Sequence, residues 1–161
     1  MGKKGKSNFY FPHKSFSTLA RSLAAQYGPK DVRFQAKALD VLQRHVEDHL
    51  LDVARQLQDI MEHHNSKTLM KKHFQLYEKM RCKKINYKTT YGNNSLPTAP
   101  VSRLMKELAP EYNLRKGAVE HAKAHIQASI VRLFQMANEA RLSDNRKTLQ
   151  LQDMQLAIGC F

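Results

Sequence analysis

The sequence has little of what marks a secreted, membrane-spanning or catalytic protein. Two cysteines, Cys82 and Cys160, in 161 residues cannot build a disulfide framework and suit a reducing compartment. There is no Trp, and six Gly and five Pro leave long stretches without a breaker, so helices are expected. No apolar run is long enough to span a bilayer. Lysines at positions 3, 4 and 6 open the chain but no apolar stretch follows them, so no signal peptide is expected. The sequence has no Gly-rich phosphate loop, no nucleophile–base motif and no paired acid dyad, so neither catalysis, a cofactor nor a small-molecule substrate is expected. Acidic charge is also scarce. Fourteen Asp+Glu stand against 27 Lys+Arg, a net +13, and such a surface seeks polyanions. Apolar residues make up 42%, enough for a core, so this is not a disordered basic tail.

An internal repeat with an offset of 80 residues organises the chain. Leu39, Leu42, Val46, Leu50, Val53, Leu57 and Ile60 follow at spacings of three and four, one face of a helix. Their counterparts Val119, Ala122, Ile126, Ile130, Leu133, Ala137 and Ala140 are apolar too. Asn65, Lys67, Thr68, Gln75 and Leu76 return as Asn145, Lys147, Thr148, Gln155 and Leu156. Two related units therefore share one polypeptide.

Each unit reads as short helix, loop, long helix, loop, short helix. In the first, the helices span Phe16 to Tyr27, entered at Ser15 or Ser17 and stopped by Gly28-Pro29, then about Gln35 to His63 and about Met70 to Met80. In the second they span Pro100 to Glu111, about Lys116 to Leu142 and Gln150 to Ile158. Residues 82–95 are a basic tether. A helix of roughly 26 residues is about 39 Å long, too long for two short helices to cover. Each unit therefore needs a second long helix crossing its own, and the chain supplies it. Antiparallel exchange would bury both stripes and bring the first loop of each unit beside the second loop of the other.

This plan, with Lys-Thr at the second loop, resembles the histone fold over about Phe16–Met80 and Leu96–Ile158. Leu96 to Arg103 is similar to the opening of archaeal histones, and Asn145 to Thr148 with Asp153 and Gln155 to Ile158 is similar to the second loop and third helix of archaeal and eukaryotic core histones. Asp31 to Gln35 resembles the larger histone of the central tetramer, whereas Lys37-Ala38, Val46, Asp48, Ala54 and Thr68 resemble a histone of the flanking dimers. Two folds on one chain resemble the histone doublets of large DNA viruses and, less closely, those of some archaea. The expected class is thus all-α, two histone folds in an intrachain handshake. Its parts are a basic tail at 1–15, the first fold at 16–81, the linker at 82–95 and the second fold at 96–161.

The resemblance implies non-sequence-specific binding, bending and wrapping of double-stranded DNA. Candidate contacts are Arg33 beside Lys147 and Thr148, Arg115 and Lys116 beside Lys67 and Thr68, and a third site of Arg103 and Lys106, with Arg21 at the position matching Lys106. Arg146 is a candidate DNA contact as well, and the resemblance implies that it also pairs with Asp153 to clamp loop to helix, a pair replaced by Ser66 and His73 in the first unit. Expected partners are DNA and other doublets or copies of itself, in a virion, a viral factory, a nucleus or a nucleoid; no membrane partner is expected. The alternative is a scaffold subunit of a transcription or chromatin complex. Counted from Tyr27 to Ala38 against Tyr112 to Ala118, the second unit's first loop is expected to be five residues shorter. His45/His49 and His121/His125 are i,i+4 pairs that could bind a metal, but they flank an apolar stripe, which suits boundary packing, and no metal site is expected.

Overall fold

A computed structural model describes residues 9–28, 31–81, 96–107 and 110–161. The N-terminal lysines, Pro29 and the tether at 82–95, with Lys83, Lys84 and Lys88, lie outside the described residues. Among the described residues, six helices follow in order: α1 (His13–Tyr27), α2 (Ala36–His63), α3 (Lys71–Arg81), α4 (Thr98–Met105), α5 (Lys116–Ser143) and α6 (Leu151–Cys160). Four two-residue strands lie in the described loops: β1 (Arg33–Phe34), β2 (Thr68–Leu69), β3 (Asn113–Leu114) and β4 (Thr148–Leu149).

The apolar stripes do what their spacing predicts. Leu39, Leu42, Val46, Leu50, Val53 and Leu57 are buried on α2, as are Val119, Ala122, Ile126, Ile130, Leu133 and Ala137 on α5. Ile60 and Ala140 are only half-buried, because Met61 and Arg141 turn inward instead. The two long helices pack on each other, α1 lies against α5, and α6 lies against both long helices. Each unit thus completes its core with helices of the other.

Both long helices end by the same device. Asn65 (φ 51°) and Asn145 (φ 53°) are the described non-glycine residues with positive φ, a conformation Asn tolerates because its short side chain can hydrogen-bond locally. The reversed chain lets Ser66 N donate to Met61 O at 2.9 Å and Arg146 N to Arg141 O at 3.2 Å, satisfying carbonyls the helix leaves open.

Three expectations need correction. Helix α1 begins at His13 after Pro12, with no side-chain cap from Ser15 or Ser17. Helix α4 is only eight residues, ending at Met105 and not at Glu111, and Pro100 faces the core in its first turn. The five-residue shortening is present but falls in the helix, not in the loop. The caps Pro12 and Pro97 are offset by 85, as are buried Phe16, Leu19 and Ala20 from buried Val101, Leu104 and Met105, while Arg33 and Asn113, which open the strands, are offset by 80. Helix α1 has 15 residues and α4 only 8.

Candidate nucleic-acid interface

Handshake geometry places the loops in two pairs, at opposite ends of the crossed long helices. At one end β1 pairs in parallel with β4, Arg33 opposite Thr148 and Phe34 opposite Leu149. At the other, β2 pairs with β3, Thr68 opposite Asn113 and Leu69 opposite Leu114. The inner residue of each second loop, Leu69 or Leu149, is buried, whereas Arg33, Lys67, Lys147, Arg115 and Lys116 are exposed. Alternation along two residues of strand explains this: one side chain anchors and the next faces solvent. Each end therefore presents basic side chains and a threonine on one outward ridge.

The ends are not copies. Arg33 opens its strand and corresponds to Asn113, whereas Arg115 corresponds to Gln35, the residue before α2. Gln35 N donates to Leu149 O at 2.9 Å and Gln35 Oε1 accepts from Leu151 N at 2.8 Å, capping α6. Arg115 N makes the matching bond to Leu69 O at 3.0 Å, leaving its side chain exposed. Gln35 was not among the sequence candidates, although the 80-residue offset already pairs it with Arg115.

The second loops differ more. Arg146 donates to Asp153 through both terminal nitrogens, at 2.7 and 2.6 Å, and to Asp144 at 2.7 Å. Asp153 also accepts the Gln150 N–H at 2.8 Å, closing a capping box at the start of α6. Burial works to raise the Asp153 pKa, but the bonds from Arg146 and Gln150 and the charges of Arg146 and Arg141 outweigh it, holding the group below the ordinary carboxylate range. The same two carboxylates raise the Arg146 pKa. Arg141, which sequence reasoning missed, braces this loop by donating to Arg146 O at 2.6 Å. Its signal was a basic residue where the other unit carries buried Met61.

In the first unit Ser66 and His73 do not bond each other. Ser66 Oγ donates to Thr68 O at 2.9 Å, and Met70 N donates to His73 Nδ1 at 3.0 Å. His73 is fully buried. Burial, then Lys72 and His64, push its pKa down.

The third expected site is only partly assembled. Arg103 is exposed and donates to Tyr10 O at 3.4 Å, so α4 lies against the segment leading into α1. Lys106 is the residue after α4. Counted from the caps Pro12 and Pro97 its counterpart in α1 is Arg21, which lies exposed. That segment is itself held: Glu47 accepts Phe11 N at 2.8 Å and Gln43 donates to Phe11 O at 2.9 Å.

The histidines resolve as packing groups. His49 and His125 face each other across the helix crossing, Nε2 to Nε2 at 3.0 Å, and His121 bonds Glu78 at 2.5 Å. Among the described residues no group of three or more His, Cys, Asp or Glu could hold a metal ion. No helix there is long and apolar enough to cross a membrane.

Comparison with known proteins agrees with this geometry. The family model of the core histone domain matches twice, over residues 6–81 and 78–159. No curated protein matches the chain. Among solved structures, the crystal structure of the histone from Methanopyrus kandleri superposes with a TM-score of 0.76 at 22% identity, covering 91% of this chain and 92% of that chain. At that identity the likeness establishes the fold.

Proposed function

The chain belongs to the core histone family, matched in both halves, and from that premise we propose that it is a histone doublet that binds, bends and wraps double-stranded DNA without reading its sequence. One observation carries the reading: the strand pairs put Arg33 beside Thr148 at one end and Thr68 beside the segment of Arg115 at the other. A duplex following that ridge meets cations, hydroxyls and main-chain N–H groups where its phosphates curve inward. Arg33, Lys67, Thr68, Arg115, Lys116, Lys147 and Thr148 are the primary contacts, with Arg21, Arg103 and Lys106 supporting them. Arg146 serves its loop through Asp153. Phosphate contacts position a protein but carry no base information, so preference follows DNA deformability.

Larger particles would form by stacking copies through the ends of the long and third helices. Leu142 and Leu156, 48% and 60% exposed, offer apolar surface there. The family places the protein with chromatin or a nucleoid. Tandem folds on one chain support the finer reading of a viral doublet, acting in a virion, a viral factory or a host nucleus.

Nuclease digestion of complexes on DNA of increasing length tests the proposal. A ladder of regular protected fragments is expected. One short footprint that never repeats would instead favour a scaffold subunit of a transcription or chromatin complex. Salt dependence is the second check. If about 6–8 phosphates are neutralised per chain, affinity falls by about three to four decades between 50 and 200 mM salt. A slope near zero would overturn DNA binding through this ridge.

A further inference from the structure

The two second loops hold the start of the following helix with different chemistry. Before α6 the Gln150 N–H is accepted by the Asp153 carboxylate, which is neutralised by Arg146. Before α3 the equivalent Met70 N–H is accepted by an imidazole, His73 Nδ1 at 3.0 Å. A main-chain N–H only donates, so Nδ1 must keep its lone pair and the ring proton resides on Nε2. That Nε2 is buried with no partner among the described residues.

We propose that His73 is the positioning residue of the Lys67–Thr68 loop, and that uptake of a proton there unlatches this loop while the Arg146–Asp153 loop stays shut. A proton on Nδ1 turns the acceptor into a second donor facing Met70 N–H, and the bond must break. The charge would arrive among cations. Lys72 lies on α3, the His64 ring is 5.6 Å away at the end of α2, and Lys67 and Lys71 flank the same turn. Arg115 and Lys116 lead from β3 into α5, joined here by the Arg115 N bond to Leu69 O. The carboxylates of the neighbouring elements have partners already: Glu62 accepts from Tyr112 and Gln58, and Glu78 pairs with His121. A group that binds its proton more weakly when folded contributes fully above the ordinary imidazole range, and the contribution is lost as pH falls through the folded value. Asp153 stays ionised throughout that window, because its own pKa is depressed.

The consequence for DNA rests on the function proposed above, but the latch is testable without DNA. Amide protection of Met70 and Gln150, corrected for intrinsic exchange, is followed in the full chain between about pH 7.5 and 5. Met70 protection is expected to fall at least about tenfold while Gln150 changes by less than about twofold. Two variants should remove the difference: His73→Asn, whose amide oxygen accepts the same N–H without titrating, and Ser66→Arg with His73→Asp, which copies the other loop without changing net charge. Unchanged Met70 protection in the natural chain, equal loss at both loops, or an unchanged acid response in His73→Asn overturns the latch. Affinity for a mixed-sequence duplex is then compared over the same range. The ratio of His73→Asn to natural chain should rise at least about threefold in acid. A ratio that stays flat while Met70 opens keeps the latch but removes Lys67–Thr68 from the DNA contacts.

Discussion

Helices α2 and α5 have equal length, 28 residues each, and the same apolar spacing, yet their surroundings differ. Eleven residues of α2 are buried against sixteen of α5. The five extra buried positions on α5 are His121, His125, Ser129, Val131 and Asn138, four of them polar, while Lys123, Gln127 and Arg141 match Gln43, Glu47 and Met61, which α2 also buries. Several find partners: Lys123 donates to Thr98 at 2.6 Å, Ser129 to His125 O at 2.9 Å, and Arg141 to Asn138 at 2.9 Å. Helix α1, 15 residues long, covers α5, whereas the 8-residue α4 covers α2. A sequence repeat therefore fixes the path of the chain, while the lengths of the covering helices decide which long helix becomes the interior one.

The strongest way to break that comparison is at the middle of the stripes, where the helices remain equal. Leu50 and Ile130 are both 0% exposed. Leu50→Asp and Ile130→Asp each leave a buried charge without a partner and should cost about 3–5 kcal/mol. Because each half completes its core with the other, thermal unfolding followed by circular dichroism should show the whole helical signal lost in one transition. Loss of half the signal would mean that the units fold independently.

Smaller changes sharpen the difference in cover. Gly28 is extended (φ −143°), so conformation does not require glycine there. Space does: a Cβ would meet the buried Phe134 ring, with Cζ at 2.8 Å and Cε1 closer still. Gly28→Ala should cost about 1–3 kcal/mol by overpacking, and Phe134→Leu should relieve most of it. Gly117, at the start of α5, has only Lys71 Cβ at 3.8 Å in reach. There Ala removes helix-backbone entropy and should stabilise by up to about 1 kcal/mol. Denaturant midpoints of the two variants should move in opposite directions.

Much of this arrangement was legible in the residues. The stripes, the Asn65 and Asn145 breaks and the loop pairing follow from spacing and loop chemistry, and the Arg146–Asp153 clamp follows from the resemblance to core histones. The length of α4 did not: Lys106 and Glu107 are acceptable helix formers, yet the helix ends at Met105. The same holds for the His49–His125 contact and for the Glu47–Gln43 grip on Phe11. Each joins residues from elements whose crossing angle no short-range pattern encodes.

The clamp offers the smallest and most specific test, because it separates a titrating carboxylate from its shape. Asp153→Asn keeps an oxygen to accept the Gln150 N–H but gives up the charge facing Arg146, a loss comparable to a weakened cap, about 1 kcal/mol at neutral pH. Asp153 binds its proton more weakly in the folded chain than in the unfolded one. Its contribution is therefore complete above the ordinary carboxylate range and declines as pH falls through the depressed folded value. The gap in urea-unfolding free energy between natural chain and Asp153→Asn should close between about pH 5 and 2, where protonation makes the two alike. A gap constant over that interval would mean that the Arg146 pair adds no net stability. The asymmetry between the two second loops would then come from the His73 side alone.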